Sequence, residues 1–160
     1  HAAIKEMSLK DNALLTTSKK INLVEKGFLR SNEICDLAQK IISDFDVRTT
    51  GLEMETGNLS GGNLQKFILG REILQNPRIL IVSQPTWGVD AGAAVFLRKS
   101  LLDLAAQGCA ILIISQDLDE IFEICDRIAV LYQGTLSPLI NTESASVDQI
   151  GLLMGGKTAE

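Results

Sequence analysis

Apolar residues recur at helical spacing over about 31–45, where Ile34, Leu37, Ile41 and Phe45 fall on one face. Ser31 or Asn32 can cap the start of that helix. The stretch before it, 1–30, has a mixed pattern with short apolar runs at Ala13-Leu14-Leu15 and Ile21-Asn22-Leu23-Val24. Residues 46–57 read as a loop. A Gly-rich turn, Leu59-Ser60-Gly61-Gly62, then opens an amphipathic helix carrying Leu64, Phe67, Ile68 and Ile73, which Asn76-Pro77 stops. The short β-branched run Ile79-Leu80-Ile81-Val82 predicts a strand buried on both faces. Asp90 predicts the N-cap of a helix over 91–106, ended by Gly108. A second buried strand is expected over 110–114, a helix over 118–125, a third apolar strand over 128–132 ending at the turn Gln133-Gly134, and a last helix over 147–154. Strands alternating with helices imply an α/β layer with parallel strands, preceded by a mainly helical segment.

Composition fits one globular domain with an aliphatic core: 160 residues, 46% hydrophobic, 22% charged and few aromatics. The net charge of −5 and the lack of a Lys/Arg run argue against a nucleic-acid surface. The three cysteines, Cys35, Cys109 and Cys125, are far apart, and the only histidine is His1. That excludes the usual Cys/His metal spacings and reads as reduced thiols in a cytosolic setting. No leader pattern and no apolar run long enough to span a bilayer are expected, so any membrane connection goes through a partner.

The strongest chemical signal is Leu59-Ser60-Gly61-Gly62-Asn63-Leu64-Gln65-Lys66. A helix N-terminus leaves backbone N–H groups unsatisfied and carries partial positive charge. Two glycines let a phosphate approach the backbone, and Ser60 adds a hydroxyl donor. On the tetrapeptide alone, a plain Gly turn before a helix accounts for the string equally well. Its context adds Ile79-Leu80-Ile81-Val82-Ser83-Gln84-Pro85-Thr86, Trp87-Gly88-Val89-Asp90, Ile113-Ile114-Ser115-Gln116-Asp117-Leu118 and Asp126-Arg127-Ile128-Ala129-Val130-Leu131, in that order.

Together these strings resemble the ABC-transporter ATP-binding cassette: its signature sequence with Asn63 in the usual Gln position, its Walker B strand, its D-loop, its switch strand and the strand after it. The match is strong over about 57–135. The wordings Gly57–Asn63 and Trp87–Ala93, with the opening Met7–Leu15, look similar to the second cassette of bacterial twin-cassette importers for simple sugars and nucleosides. The resemblance implies a P-loop NTPase-like α/β core fragment with parallel strands and flanking helices, lacking its P-loop strand. It divides the chain into a helical subdomain portion (1–57), the C-terminal half of the α/β core (58–138) and a tail with a short helix (139–160). On this reading His1 falls inside a cassette.

No G-x-x-x-x-G-K-[ST] string occurs. Gly61-Gly62 and Gly155-Gly156 do not fit it, although Lys157 follows the second pair. Such a fragment is expected to bind nucleotide weakly and not to hydrolyse ATP alone. Where the family has a Walker B Asp for Mg²⁺ and a Glu that polarises the attacking water, this chain has Ser83 and Gln84; where a switch His is usual, it has Gln116. Glutamine can orient a water but cannot take its proton, and a general base contributes about 10²–10⁴-fold. Gln84 and Gln116 are thus degenerate catalytic positions; Ser83 and Gln84 taken as plain polar strand-end residues would likewise have no catalytic role.

The resemblance further implies that Ser60, Gly61, Gly62 and Asn63 contact ATP held by another cassette, with Ser83 and Asp90 as further nucleotide-site candidates and no protein metal cluster. Asp90 reads as a helix cap, as a contact to the partner cassette, or as both. The implied activity is ATP hydrolysis, with Mg²⁺, coupled to uptake of a small solute through a transmembrane permease and, indirectly, a substrate-binding protein. The implied location is the inner face of a bacterial cell membrane. A non-catalytic nucleotide clamp is the second reading. A DNA-repair or chromosome-structure ATPase head is the third, disfavoured by acidity and by the absence of heptads. Asp117, Asp119 and Glu120 read as carboxylates favoured at a helix start, Lys66 and Arg71 as solvated helix-face residues, Trp87 as packing or partner contact, and Tyr132 as strand-end packing. Removing upstream strands would expose a sheet edge, so self-association of the chain is expected.

Overall fold

The structure is a computed structural model describing residues 2–17, 23–25 and 28–156. His1, Ile21, Asn22 and Lys157, singled out above, lie outside the described residues. The chain divides into two compact units, His1–Leu112 and Ile113–Glu160.

The first unit opens with α1 (Leu9–Thr17), whose first turn is capped by Ser8: its Oγ accepts the Asp11 N–H at 3.1 Å. A two-stranded hairpin follows, β1 (Val24–Glu25) against β2 (Phe28–Leu29), and then α2 (Ser31–Asp44). The N-cap of α2 is Arg30, with no side-chain cap, so neither Ser31 nor Asn32 performs the expected capping; both already lie inside the helix. A 3₁₀ turn at Thr56–Asn58 leads to α3 (Gly61–Ile73). Helices α1, α2 and α3 pack on one another, and α3 also packs on α4 (Ala91–Ala106). The core between them is Leu9, Ala13, Leu23, Ile34, Leu37, Ala38, Ile41, Phe45, Val47 and Phe67, all buried.

A polar knot sits beside that core. Arg71 is 1% exposed, and its guanidinium donates to the carbonyls of Asn12 (2.9 Å) and Ala2 (2.8 Å) and to Glu72 Oε1 (2.8 Å). Asn12, fully buried, donates from Nδ2 to the carbonyls of Ile4, Met7 and Ser8. Arg71 is therefore no solvated-face residue: the N-terminal backbone folds over it and supplies the acceptors a buried cation requires.

Strands β3 (Ile79–Ser83) and β4 (Ala110–Ile114) pair in a two-stranded sheet, joined by α4 as the crossover. The expectation of strands buried on both faces fails. Leu80 is buried, but Ile79 and Ile81 are 69% and 64% exposed and Leu112 is 55% exposed, because among the described residues nothing covers that face.

The second unit holds α5 (Leu118–Ile124), β5 (Arg127–Ile128), β6 (Leu131–Tyr132), β7 (Thr135–Leu136), β8 (Ile140–Asn141) and α6 (Val147–Met154). The single strand expected over 128–132 is instead two short ones, interrupted at Ala129-Val130. Each pairs antiparallel: β5 with β8, and β6 with β7. The β6–β7 hairpin turns at Gln133-Gly134, whose φ values of 45° and 81° suit a two-residue turn with both central residues left-handed. Ile128, Val130 and Ile150 form this unit's buried core, with Leu118, Ile121 and Phe122 packed against it.

Candidate functional site

The chain's clearest site-like geometry is built where α3 begins. Ser60 has extended backbone (φ −63°, ψ 157°) and caps the helix, its Oγ accepting the Asn63 N–H at 3.4 Å. Asn63 Nδ2 donates to the same oxygen at 2.9 Å. Asn63 Oδ1 accepts the backbone N–H of Arg48 at 2.9 Å, tying the helix start to the segment after α2. Ser60 and Gly61 are exposed, and Gly62 is buried.

What lies behind them leaves no room for a side chain at Gly61 and little at Gly62. A Cβ on Gly61 would stand 2.9 Å from the Gly88 carbonyl oxygen, and one on Gly62 would stand 3.3 Å from Ala93 Cβ and from Asp90 Oδ2. The start of α3 is thus seated on the loop 88–90 and the start of α4. Asp90 caps α4, accepting the Ala93 N–H at 2.9 Å. That bond holds its carboxyl below the usual carboxylate range; partial desolvation opposes the shift, while the Gly92 N–H and the Lys66 charge add to it. The capping role expected for Asp90 is therefore present.

An open cleft of about 510 Å³ lies alongside, lined by Ser60, Asn63, Lys66 and Asp90 among others. Lys66, expected on a solvated face, is largely covered. Its Nζ pairs with Asp46 Oδ2 at 3.0 Å and sits 5.0 Å from the centre of the Phe96 ring. The hydrogen bond from Lys66, then its charge, lower the Asp46 carboxyl from its ordinary value. Neither Asp46, Arg48 nor Phe96 was singled out in the sequence. The only signal there was the three-residue spacing from Ser60 to Asn63, which resembles a capping box.

Of the sequence candidates, Ser60, Gly61, Gly62, Asn63 and Asp90 come together here. Ser83 ends β3, exposed, and Gln84 follows it half-buried with φ +52°, its carbonyl accepting the Trp87 N–H at 3.2 Å. Both belong to the first unit, but no contact of their side chains with the α3 start is among those described. Gln116 is exposed in the second unit, next to Asp117, which caps α5 by accepting the Glu120 N–H at 3.1 Å. Trp87 is 72% exposed, so internal packing does not account for it. Tyr132 lies against Gly156, where an added Cβ would run into the ring, in keeping with strand-end packing.

As to Mg²⁺, Ser83 offers one neutral hydroxyl where a hard dication favours carboxylate oxygen. Among the described residues no group of three His, Cys, Asp or Glu could hold a metal. The described residues do not make a Mg²⁺ site of their own.

The fold has counterparts among solved structures. The chain superposes on the dimeric ATP-binding cassette MJ0796, bound to ADP and Pi in a post-hydrolysis state, with TM-score 0.73 over 88% of this chain and 59% of that one at 20% identity. It superposes on another dimeric structure of that bacterial ABC transporter cassette with TM-score 0.72, again over 88% and 59%, at 19% identity. The fold is that of an ABC cassette, with the P-loop NTPase type of α/β layer.

Among curated proteins the chain is 42% identical to the nucleoside import ATP-binding protein NupA of Lactococcus lactis over 151 residues, 94% of this chain and 30% of that protein. It is 38% identical to the guanosine import ATP-binding protein NupO of Bacillus subtilis over 158 residues, 99% and 31%. It is 35% identical to the ribose import ATP-binding protein RbsA of Geobacillus kaustophilus over 147 residues, 92% and 29%. No protein-family model matches. By sequence and by fold the chain belongs to the ABC ATP-binding cassette family, and it spans about 30% of the length of these nucleoside and sugar import relatives.

Proposed function

We propose that this chain is a portion of the ATP-binding subunit of an importer for a nucleoside or simple sugar, and that the start of α3 closes on the γ-phosphate of ATP held by a second cassette. The observation that carries the reading is the exposed helix start at Ser60-Gly61, stripped of side chains at two positions and seated on loop 88–90. Backbone N–H groups and a hydroxyl aimed outward from a helix N-terminus suit an anion. The relatives' names, and the dimeric ADP- and Pi-bound neighbour, support the nucleotide and the pairing of two cassettes.

In this reading ATP is the substrate of the intact assembly, Mg²⁺ arrives with it on the other cassette, and a transmembrane permease receives the work. A substrate-binding protein delivers the solute, and the assembly sits peripherally at the cytoplasmic face of the membrane. No described helix is long and apolar enough to cross a membrane, which leaves that task to the permease. The Ser83–Gln84 corner serves a structural or regulatory role: both side chains are neutral, and Gln84 cannot act as a base.

The test is ATP turnover by the complete natural polypeptide with its permease. Gly61→Asp would confound charge with the close approach to the Gly88 carbonyl, so Ser60→Gly is the cleaner change. Glycine is a serviceable N-cap, losing only a few tenths of a kcal/mol. Turnover is expected to fall about 10–100-fold, the usual worth of a hydrogen bond to a charged group. Unchanged turnover would leave the α3 start with a structural role only.

A further inference from the structure

We propose that Asn63 is a positioning residue that presets the Ser60 hydroxyl as a hydrogen-bond donor to the bound phosphate, and does not itself touch nucleotide. The inference rests on the reading of α3 given above. The side-chain amide of Asn63 has its orientation fixed by a neighbour that can only donate: the backbone N–H of Arg48 meets Oδ1 at 2.9 Å. The other end of the amide must then be the NH₂, and it faces Ser60 Oγ at 2.9 Å. The same oxygen accepts the Asn63 backbone N–H at 3.4 Å. A hydroxyl has two acceptor positions and one proton. Both acceptor positions of Ser60 are thus taken by Asn63, and the proton is left to point away from it. Ser60 is exposed, so that proton is open to an acceptor arriving from outside the chain.

Without the amide, the hydroxyl has one helix N–H bond, at 3.4 Å, and is free to rotate its proton among other orientations. Asn63 also carries position: through Arg48 N–H it ties the α3 start to the segment that follows α2. The neighbouring Lys66–Asp46 pair holds that segment a second time, with Lys66 also bonding the Asp46 carbonyl at 3.2 Å. Positioning of this kind adds to catalysis because donors set before the reaction need no reorganisation during it.

The experiment is a double-mutant cycle on ATP turnover by the complete polypeptide with its permease: wild type, Ser60→Gly, Asn63→Ala and the double variant. The expected result is a fall in kcat of roughly 10-fold for Asn63→Ala, with KM for ATP within about twofold. In the Ser60→Gly background, Asn63→Ala is expected to have little further effect, since the group it positions is gone. Thermal midpoints of all four proteins are recorded alongside, and Asn63→Gln, which keeps the amide, is expected to retain kcat within about threefold. Additive losses in the cycle would overturn the proposal while leaving the α3 reading intact. So would a kcat for Asn63→Gln as low as for Asn63→Ala, or a loss that follows the thermal midpoint alone. No effect of Ser60→Gly by itself would remove the α3 reading and this proposal with it.

Discussion

Gly70 shows at one residue how packing overrides local preference. It lies inside α3, where glycine costs roughly 1 kcal/mol relative to alanine. A Cβ there would stand 2.6 Å from the Phe45 ring, which itself meets Phe96 edge-on with centroids 6.0 Å apart. Overpacking of a tight core costs about 1–3 kcal/mol, so the clash wins. Gly70→Ala is expected to lower the thermal midpoint, and a raised one would show that the ring moves aside freely. Arg71, the next residue, was read from sequence as solvated because a charge in mid-helix usually is. What buries it is a pair of backbone carbonyls, Asn12 and Ala2, brought from the far N-terminal end. No apolar pattern encodes an acceptor on a main chain some 60 residues away. The turn into α3 was legible for the opposite reason: Ser60, Gly61 and Gly62 answer backbone needs that a short string of residue types expresses directly.

At the scale of elements, α4 could be read because it begins at a cap and ends at a breaker. Asp90 and Gly108 frame α4 at Ala91–Ala106 as expected, and α6 and β4 fall on their expected residues. Helix α1 was not seen because two of its buried positions are polar: Asn12 and Thr17 stand where an apolar stripe would be sought, each satisfied by hydrogen bonds inside the fold. The strand expected over 128–132 broke because its pairing is supplied by residues 135–141 in two short antiparallel ladders, which a single apolar run cannot show. The cap of α4 yields a pH prediction. The folded carboxyl of Asp90 lies below its ordinary value, so its support is complete at neutral pH and is lost as pH falls from about 4 through the lower folded value. Melts of wild type and Asp90→Ala between pH 7 and 3 should converge on the acid side. Because Asp46 is lowered by Lys66 and titrates in the same window, the comparison is repeated in an Asp46→Asn background. A gap that stays constant with pH would mean that the ionised carboxylate is not what supports α4.

For the whole molecule, the strand burial that failed is itself informative. The run Ile79-Leu80-Ile81-Val82 reads as a strand covered twice, and the described residues cover it once. Ile79, Ile81 and Leu112 are more than half exposed, and β3 and β4 each keep one unpaired edge among the described residues. Exposed apolar surface on a sheet with free edges is a standing invitation to a second chain. We therefore expect the 160-residue chain studied alone to self-associate as its concentration rises, measured by sedimentation velocity across a hundredfold dilution series. Ile81→Lys, at a position 64% exposed, adds a charge to that face with little effect on the folded unit and should shift the distribution toward monomer. The net charge of −5 already opposes association at low salt, so raising the salt should strengthen it in the wild type. A strict monomer throughout, or association that Ile81→Lys leaves untouched, would mean that this face is not what brings copies together.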